Sequence, residues 1–211
     1  MPTTRLAVAA MAVLPLAAFT PAALAQDCDP AEIFAPEVAY AAGNSPYGVA
    51  INDLDGDGDA DLVVSNVGDD DVSVLLNNGD GTFATQVRYS TGDVPWSIAV
   101  GDLDGDGDGD LAVANFNDAT TSVLLNNGDG TFGSEVRYDG RIRQQSIAIG
   151  DLDGDGDGDL AIAAGPADSV SVLFNNGDGT FASLLGLDVL SNPRSVAIGD
   201  LDGDGDADLA T

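Results

Sequence analysis

The chain has 211 residues, of which 36 are acidic and six are basic. All six are arginines, there is no histidine, Cys28 is the only cysteine, and the net charge is −30. That balance argues against nucleic acid and anionic lipid surfaces as partners, since both need basic patches. It also removes cysteine zinc sites, an internal disulfide and the commonest general base.

High net charge can signal disorder, but the acids here are concentrated in short repeated segments. The stretches between them are rich in Val, Ile, Leu and Phe. At the N-terminus, Met1–Thr4 is short and polar, Arg5 supplies a positive charge, Leu6–Phe19 is apolar, and Ala23-Leu24-Ala25 has the small-x-small form of a cleavage site. Residues 1–25 therefore read as a secretory signal peptide. The apolar run contains Pro15 and is shorter than the ~20 residues that span a bilayer. The expected mature chain is secreted, to the extracellular space or cell surface, with no membrane span. Residues 26–32 are expected to form a linker in which Cys28 stays unpaired or pairs with another chain or with a segment beyond this sequence.

From residue 33 the chain is periodic. Asp-Leu-Asp-Gly-Asp-Gly-Asp-x-Asp-Leu begins at Asp53, Asp102, Asp151 and Asp200, an interval of 49 residues each time. Each copy follows a short alternating segment, such as Ser97-Ile98-Ala99-Val100, and precedes a second β-prone run, such as Asp110-Leu111-Ala112-Val113. A turn and a third run follow, then Asn-Asn-Gly-Asp-Gly-Thr-Phe from Asn77, Asn126 and Asn175, and a fourth run such as Gln86-Val87-Arg88-Tyr89. Asn-Gly and Asp-Gly suit the left-handed positions of tight hairpin turns.

Four strands per unit at this period predict an all-β fold, a β-propeller of four-stranded blades. The blades fall at about 46–90, 95–139, 144–188 and a partial 193–211. Residues 33–42 match the Thr82–Tyr89 region at the same interval, so they are expected to form the fourth strand of an incomplete blade. Three complete and two partial blades result. Because the last repeat stops inside its second strand, the sequence reads as a fragment.

The acidic loops point to a metal. Two carboxylates about 4 Å apart repel by roughly 4 kcal/mol at a surface-like dielectric, and each loop holds five carboxylates in nine residues with no cation nearby. Alternate residues of a curled loop can aim oxygens at one centre. Positions 1, 3, 5 and 9 are Asp53, Asp55, Asp57 and Asp61; Asp102, Asp104, Asp106 and Asp110; Asp151, Asp153, Asp155 and Asp159; Asp200, Asp202, Asp204 and Asp208. At position 7, Asp59, Asp108, Asp157 and Asp206 are expected to offer backbone carbonyls while their side chains face solvent. Many hard oxygens suit Ca²⁺, about one ion per loop. An EF-hand is excluded, because its twelfth position needs Glu and these loops have Val64, Val113, Ile162 and Thr211 there. The polar groups of Asn-Asn-Gly-Asp-Gly-Thr are expected to cap a hairpin and not to hold a second ion.

The Asp-x-Asp-x-Asp-Gly-x-x-Asp loops between first and second strands resemble the FG-GAP (VCBS-like) repeats of integrin α-chain propellers and many secreted bacterial proteins. The resemblance spans about Ile33 to Thr211. It implies Ca²⁺ on the four aspartate sets and partner binding on the face opposite the calcium hairpins. There, Tyr47, Trp96, Gln145 and Arg194 vary at one inter-blade position, as contact candidates for a protein or glycan ligand. The expected function is a secreted calcium-binding module for adhesion or for protein or carbohydrate binding. The alternative is the propeller part of a secreted polysaccharide-active enzyme such as a lyase. No residue set that occurs once suggests catalysis, since Arg88/Arg137 and Tyr40/Tyr89/Tyr138 recur by blade position.

Overall fold

The computed structural model describes residues 5–8, 38–182 and 184–211. Most of the leader, the linker with Cys28, and residues 33–37 of the expected opening strand lie outside the described residues. β1 (Arg5–Val8) runs antiparallel to β2 (Val38–Ala41), with Arg5 opposite Ala41 and Val8 opposite Val38.

Three four-stranded antiparallel sheets follow as blades. The first holds β3 (Pro46–Asn52), β4 (Asp61–Asn66), β5 (Asp71–Leu75) and β6 (Val87–Ser90). The second holds β7 (Pro95–Gly101), β8 (Asp110–Asn115), β9 (Thr120–Leu124) and β10 (Val136–Asp139). The third holds β11 (Gln144–Gly150), β12 (Asp159–Ala164), β13 (Ser169–Leu173) and β14 (Leu185–Asp188). β15 (Ala197–Gly199) and β16 (Asp208–Ala210) pair as a two-stranded start of a fourth. Each complete sheet is a meander, so its strands pair in chain order. Among the described residues no helix is long and apolar enough to cross a membrane.

The inner strands are covered on both faces, which explains their unbroken apolar runs. Every residue of β4, β8 and β12 is buried. Alternate side chains of one strand enter different cores. Leu62 and Val64 pack with Leu75, Tyr40 and Phe83, whereas Val63 joins Leu111, Val113 and Phe132 of the second blade. The next interface is built alike, from Ala112, Ala114 and Leu103 against Ile147, Leu160 and Ile162. Each apolar cluster therefore belongs to two blades.

The recurrent tyrosines clasp neighbouring blades. Tyr40–Phe83, Tyr89–Phe132 and Tyr138–Phe181 meet edge to face at centroid distances of 5.1, 5.3 and 5.2 Å. The Tyr89 hydroxyl accepts from Phe132 N, and the Tyr138 hydroxyl donates to Gly179 O. Through Tyr40, β2 sits against the first blade as β6 sits against the second. Arg88 is ion-paired with Asp69 and Asp71, and Arg137 with Asp118 and Glu135.

Candidate metal centres

Each acidic segment closes the hairpin between the first two strands of a sheet, and hydrogen bonds within the loop set its shape. In the first copy Asp53 accepts from Gly56 N through Oδ1 and from Gly58 N through Oδ2, both at 2.9 Å. Gly56 and Gly58 have φ of +73° and +92°, a region open to glycine at little cost. The ninth position is different in kind. Asp61 is fully buried and accepts from Leu54 N at 2.8 Å and from Asn77 N at 2.7 Å. It fixes the acidic loop to the Asn-Asn-Gly-Asp-Gly-Thr hairpin. Asp110 repeats this with Leu103 and Asn126, and Asp159 with Leu152 and Asn175.

Carboxylate oxygens converge in all four loops. In the first, Asp53, Asp55 and Asp57 each bring an oxygen within 4.8 Å of the others. In the remaining loops the convergent sets are Asp102, Asp104 and Asp110; Asp151, Asp153 and Asp159; Asp200, Asp202 and Asp208. Positions 1 and 3 thus join every cluster, with position 5 in the first loop and position 9 in the others. Ca²⁺ binds oxygens at about 2.3–2.6 Å, so two of its ligands lie at most about twice that distance apart. The spacing and the all-oxygen donor set fit a hard divalent cation.

The seventh position departs from the sequence expectation. Asp59, Asp108 and Asp157 are half-buried, not solvent-facing. Their carboxylates lie over Gly79, Gly128 and Gly177, where an added Cβ would come within 2.9, 2.6 and 2.6 Å of an oxygen. The neighbouring hairpin has only a glycine there, and the side chain fills that space. Asp206 is exposed.

Charge crowding and burial shift the titration of these groups. Burial pushes Asp110 up to about 6, although N–H bonds from Asn126 and Leu103 pull the other way and Asp104 and Asp106 add repulsion. Burial likewise raises Asp159, Asp55 and Asp104 above the usual carboxylate range. A cation between the carboxylates would reverse this logic.

Sequence reasoning missed the coupling between successive loops. Asn126 Nδ2 donates to Leu54 O in the preceding loop at 2.8 Å and to Gly109 O at 3.1 Å, while its Oδ1 accepts from Gly128 N. Asn175 does the same for Leu103 O, Gly158 O and Gly177 N. The hairpin cap is therefore also a tether between neighbouring loops. The invariant first Asn of the motif was its only signal in the sequence. Leu54 and Leu103, at position 2, are buried in the inter-blade cores.

At the other end of the sheets Tyr47 and Trp96 are in contact, with ring centroids 4.0 Å apart; Gln145 and Arg194 are their equivalents by sequence period in the next two units. A family model described as an FG-GAP-like repeat matches residues 53–113, 102–162 and 151–211. Each match runs from the first aspartate of one loop to just beyond the next loop. No curated protein matches the chain. Among solved structures, it is similar to an Agrocybe aegerita lectin described as recognising non-reducing terminal N-acetylglucosamine. That match has 29% identity and a TM-score of 0.50, covering 75% of this chain and 44% of the lectin. It is also similar to BBS1N, solved in complex with ARL6DN, with 17% identity and a TM-score of 0.52, covering 77% of this chain and 50% of that one. The matched part spans half or less of either structure.

Proposed function

The chain belongs to the FG-GAP-like repeat family, and from that premise we propose that it is a secreted, calcium-stabilised binding module. The observation that carries the calcium reading is the convergence of three carboxylate oxygens within 4.8 Å in each of four loops. The same aspartates hold the loop backbone, so a bound ion would set the conformation that joins the first two strands. Support for binding as the task comes from similarity to a lectin at 29% identity. Adhesion, or recognition of a protein or glycan at the cell surface, is the corresponding role.

The magnitude favours a structural ion. At millimolar calcium and a dissociation constant of about 10⁻⁴ M, each site adds about 1.4 kcal/mol by mass action. Four sites would add about 6 kcal/mol, comparable with the stability of an ordinary domain.

Thermal unfolding followed by circular dichroism tests this, with millimolar Ca²⁺ or Mg²⁺ and with excess EDTA. The expected result is a higher Tm in calcium that magnesium does not reproduce. An identical cooperative transition in calcium and in EDTA would sink the calcium reading.

A further inference from the structure

Tyr47, Trp96 and Phe116 form a continuous aromatic stack at the end of the sheets opposite the acidic loops. Tyr47 and Trp96 have centroids 4.0 Å apart with planes tilted by 43°, and Trp96 and Phe116 are stacked at 4.8 Å and 26°. The rings come from the starts of β3 and β7 and from the turn after β8. Register sets their shared level, since Pro46 pairs with Asn66 and Pro95 with Asn115.

Blade packing does not require these rings. The position of Tyr47 and Trp96 is Gln145 and Arg194 in the next units, and that of Phe116 is Val67 and Gly165. The first two strands of the third blade nevertheless keep the same pairing and the same bulge. Nor is the stack core. Tyr47 is 57% exposed, and Trp96 and Phe116 are half-buried. Tyr40, Tyr89 and Tyr138 bond the next blade through their hydroxyls, whereas the Tyr47 hydroxyl has no protein partner among the described residues.

A second observation concerns charge. Arg88 and Arg137 are neutralised by ion pairs, while Arg141, Arg143 and Arg194 are exposed and lack a carboxylate partner among the described residues. All three lie in the connections that enter first strands, on the face of the stack. The Arg143 backbone lies beside the stack, its main-chain N donating to the main-chain O of Phe116 at 2.9 Å. Arg143 has φ of +60°, a left-handed turn that recurs at Ser45, Val94 and Asn192 and so belongs to the repeat.

We propose that the strip Tyr47–Trp96–Phe116–Arg143 binds an acidic saccharide, a short chain of pyranose rings carrying carboxylates. This deepens the binding-module reading above and rests on it. The C–H face of a sugar ring suits the electron-rich face of an exposed aromatic such as Tyr47, and a planar guanidinium suits a carboxylate. On a chain of net charge −30, this is where unpaired guanidinium groups offer an anionic ligand a place to dock.

Trp96 is the only tryptophan, so its fluorescence reports the site without a label. The full chain, in millimolar calcium, is titrated with tri-galacturonate, with chitotriose as the neutral sugar and with an acidic hexapeptide. The expected result is a saturable Trp96 response to tri-galacturonate that weakens with salt. Tyr47→Ala and Arg143→Gln should each reduce that affinity about tenfold or more, with Tm unchanged. Calorimetric binding of tri-galacturonate undiminished in both variants would move the site elsewhere and overturn this assignment, leaving the binding-module reading intact. Equal response to chitotriose, insensitive to Arg143→Gln, would overturn the acidic class. A response to the peptide alone would replace a saccharide with a protein partner. No response to any probe, from a chain that shows the calcium-dependent Tm, would overturn the strip as a binding site while the calcium reading stands.

Discussion

Single residues differ between blades in ways that the packing explains. In the first blade Asn66 Nδ2 donates to Asp71 and to Ser73 Oγ at 2.8 Å, and Gly43 N donates to Asn66 Oδ1. In the second, Asn115 Nδ2 donates to Ser122 Oγ at 2.8 Å, with Gly92 pressed against the Asn side chain. In the third blade the corresponding residues are Ala164 for Asn and Arg141 for Gly. The hydroxyls of Ser169 and Ser171 are buried there without a partner among the described residues. A buried unpaired hydroxyl costs about 1–3 kcal/mol. Ser171→Ala should therefore be neutral or stabilising in urea unfolding, while Ser122→Ala should lose about 1 kcal/mol. Equal losses from both would contradict the assignment of these polar groups. Asp110 supplies the pH dependence. Its folded-state value of about 6 lies above the unfolded value of about 3.9, so the folded chain binds the proton more tightly between those limits. This group thus destabilises the metal-free protein as pH rises from about 4 through 6. The Tm in EDTA should fall across that window, and Asp110→Asn should flatten the fall.

At the scale of elements, the hairpin tether offers a comparison within one chain. Asn126 is buried and reaches Leu54 O in the preceding loop. Asn77 is half-buried, and among the described residues its Nδ2 bonds only Ala60 O within its own blade. Losing a buried donor that satisfies a carbonyl across an interface costs about 1–3 kcal/mol. Asn126→Ala should accordingly lower stability by that amount, and Asn77→Ala by clearly less, measured as midpoints of urea unfolding. Two equal shifts would mean that the cross-blade bond adds nothing to the cap. Strand order and strand type at this scale were legible from alternation and turn residues. The tether was not, because Asn126 and Leu54 are 72 residues apart and only the stacking of two blades brings them together.

In the whole molecule, shared apolar clusters make the blades a linear array in which each touches its neighbours, so stability is close to a sum of unit and interface terms. Leu54 and Leu103, at the second position of their loops, are each 1% exposed between two blades. If calcium stabilises through the interfaces, Asp102→Asn should lower the calcium-dependent Tm, and Leu103→Ala should reduce the Tm gain that calcium gives. An unchanged calcium gain in Leu103→Ala would show that each ion stabilises only its own hairpin.

The sequence by itself determined the all-β class, the four-strand unit and the position of the acidic loops within it. These follow from local periodicity and from spacing within nine residues, which a chain carries in one dimension. It assigned the recurring Tyr and Arg to structure for the same reason. Tertiary structure alone decided which carboxylates meet. The ninth aspartate is drawn into a buried contact with the next hairpin, and the seventh folds over a glycine of that hairpin. It alone brought Tyr47 against Trp96 and the Arg143 backbone against Phe116, since those contacts cross blades and depend on how one sheet is laid against the next.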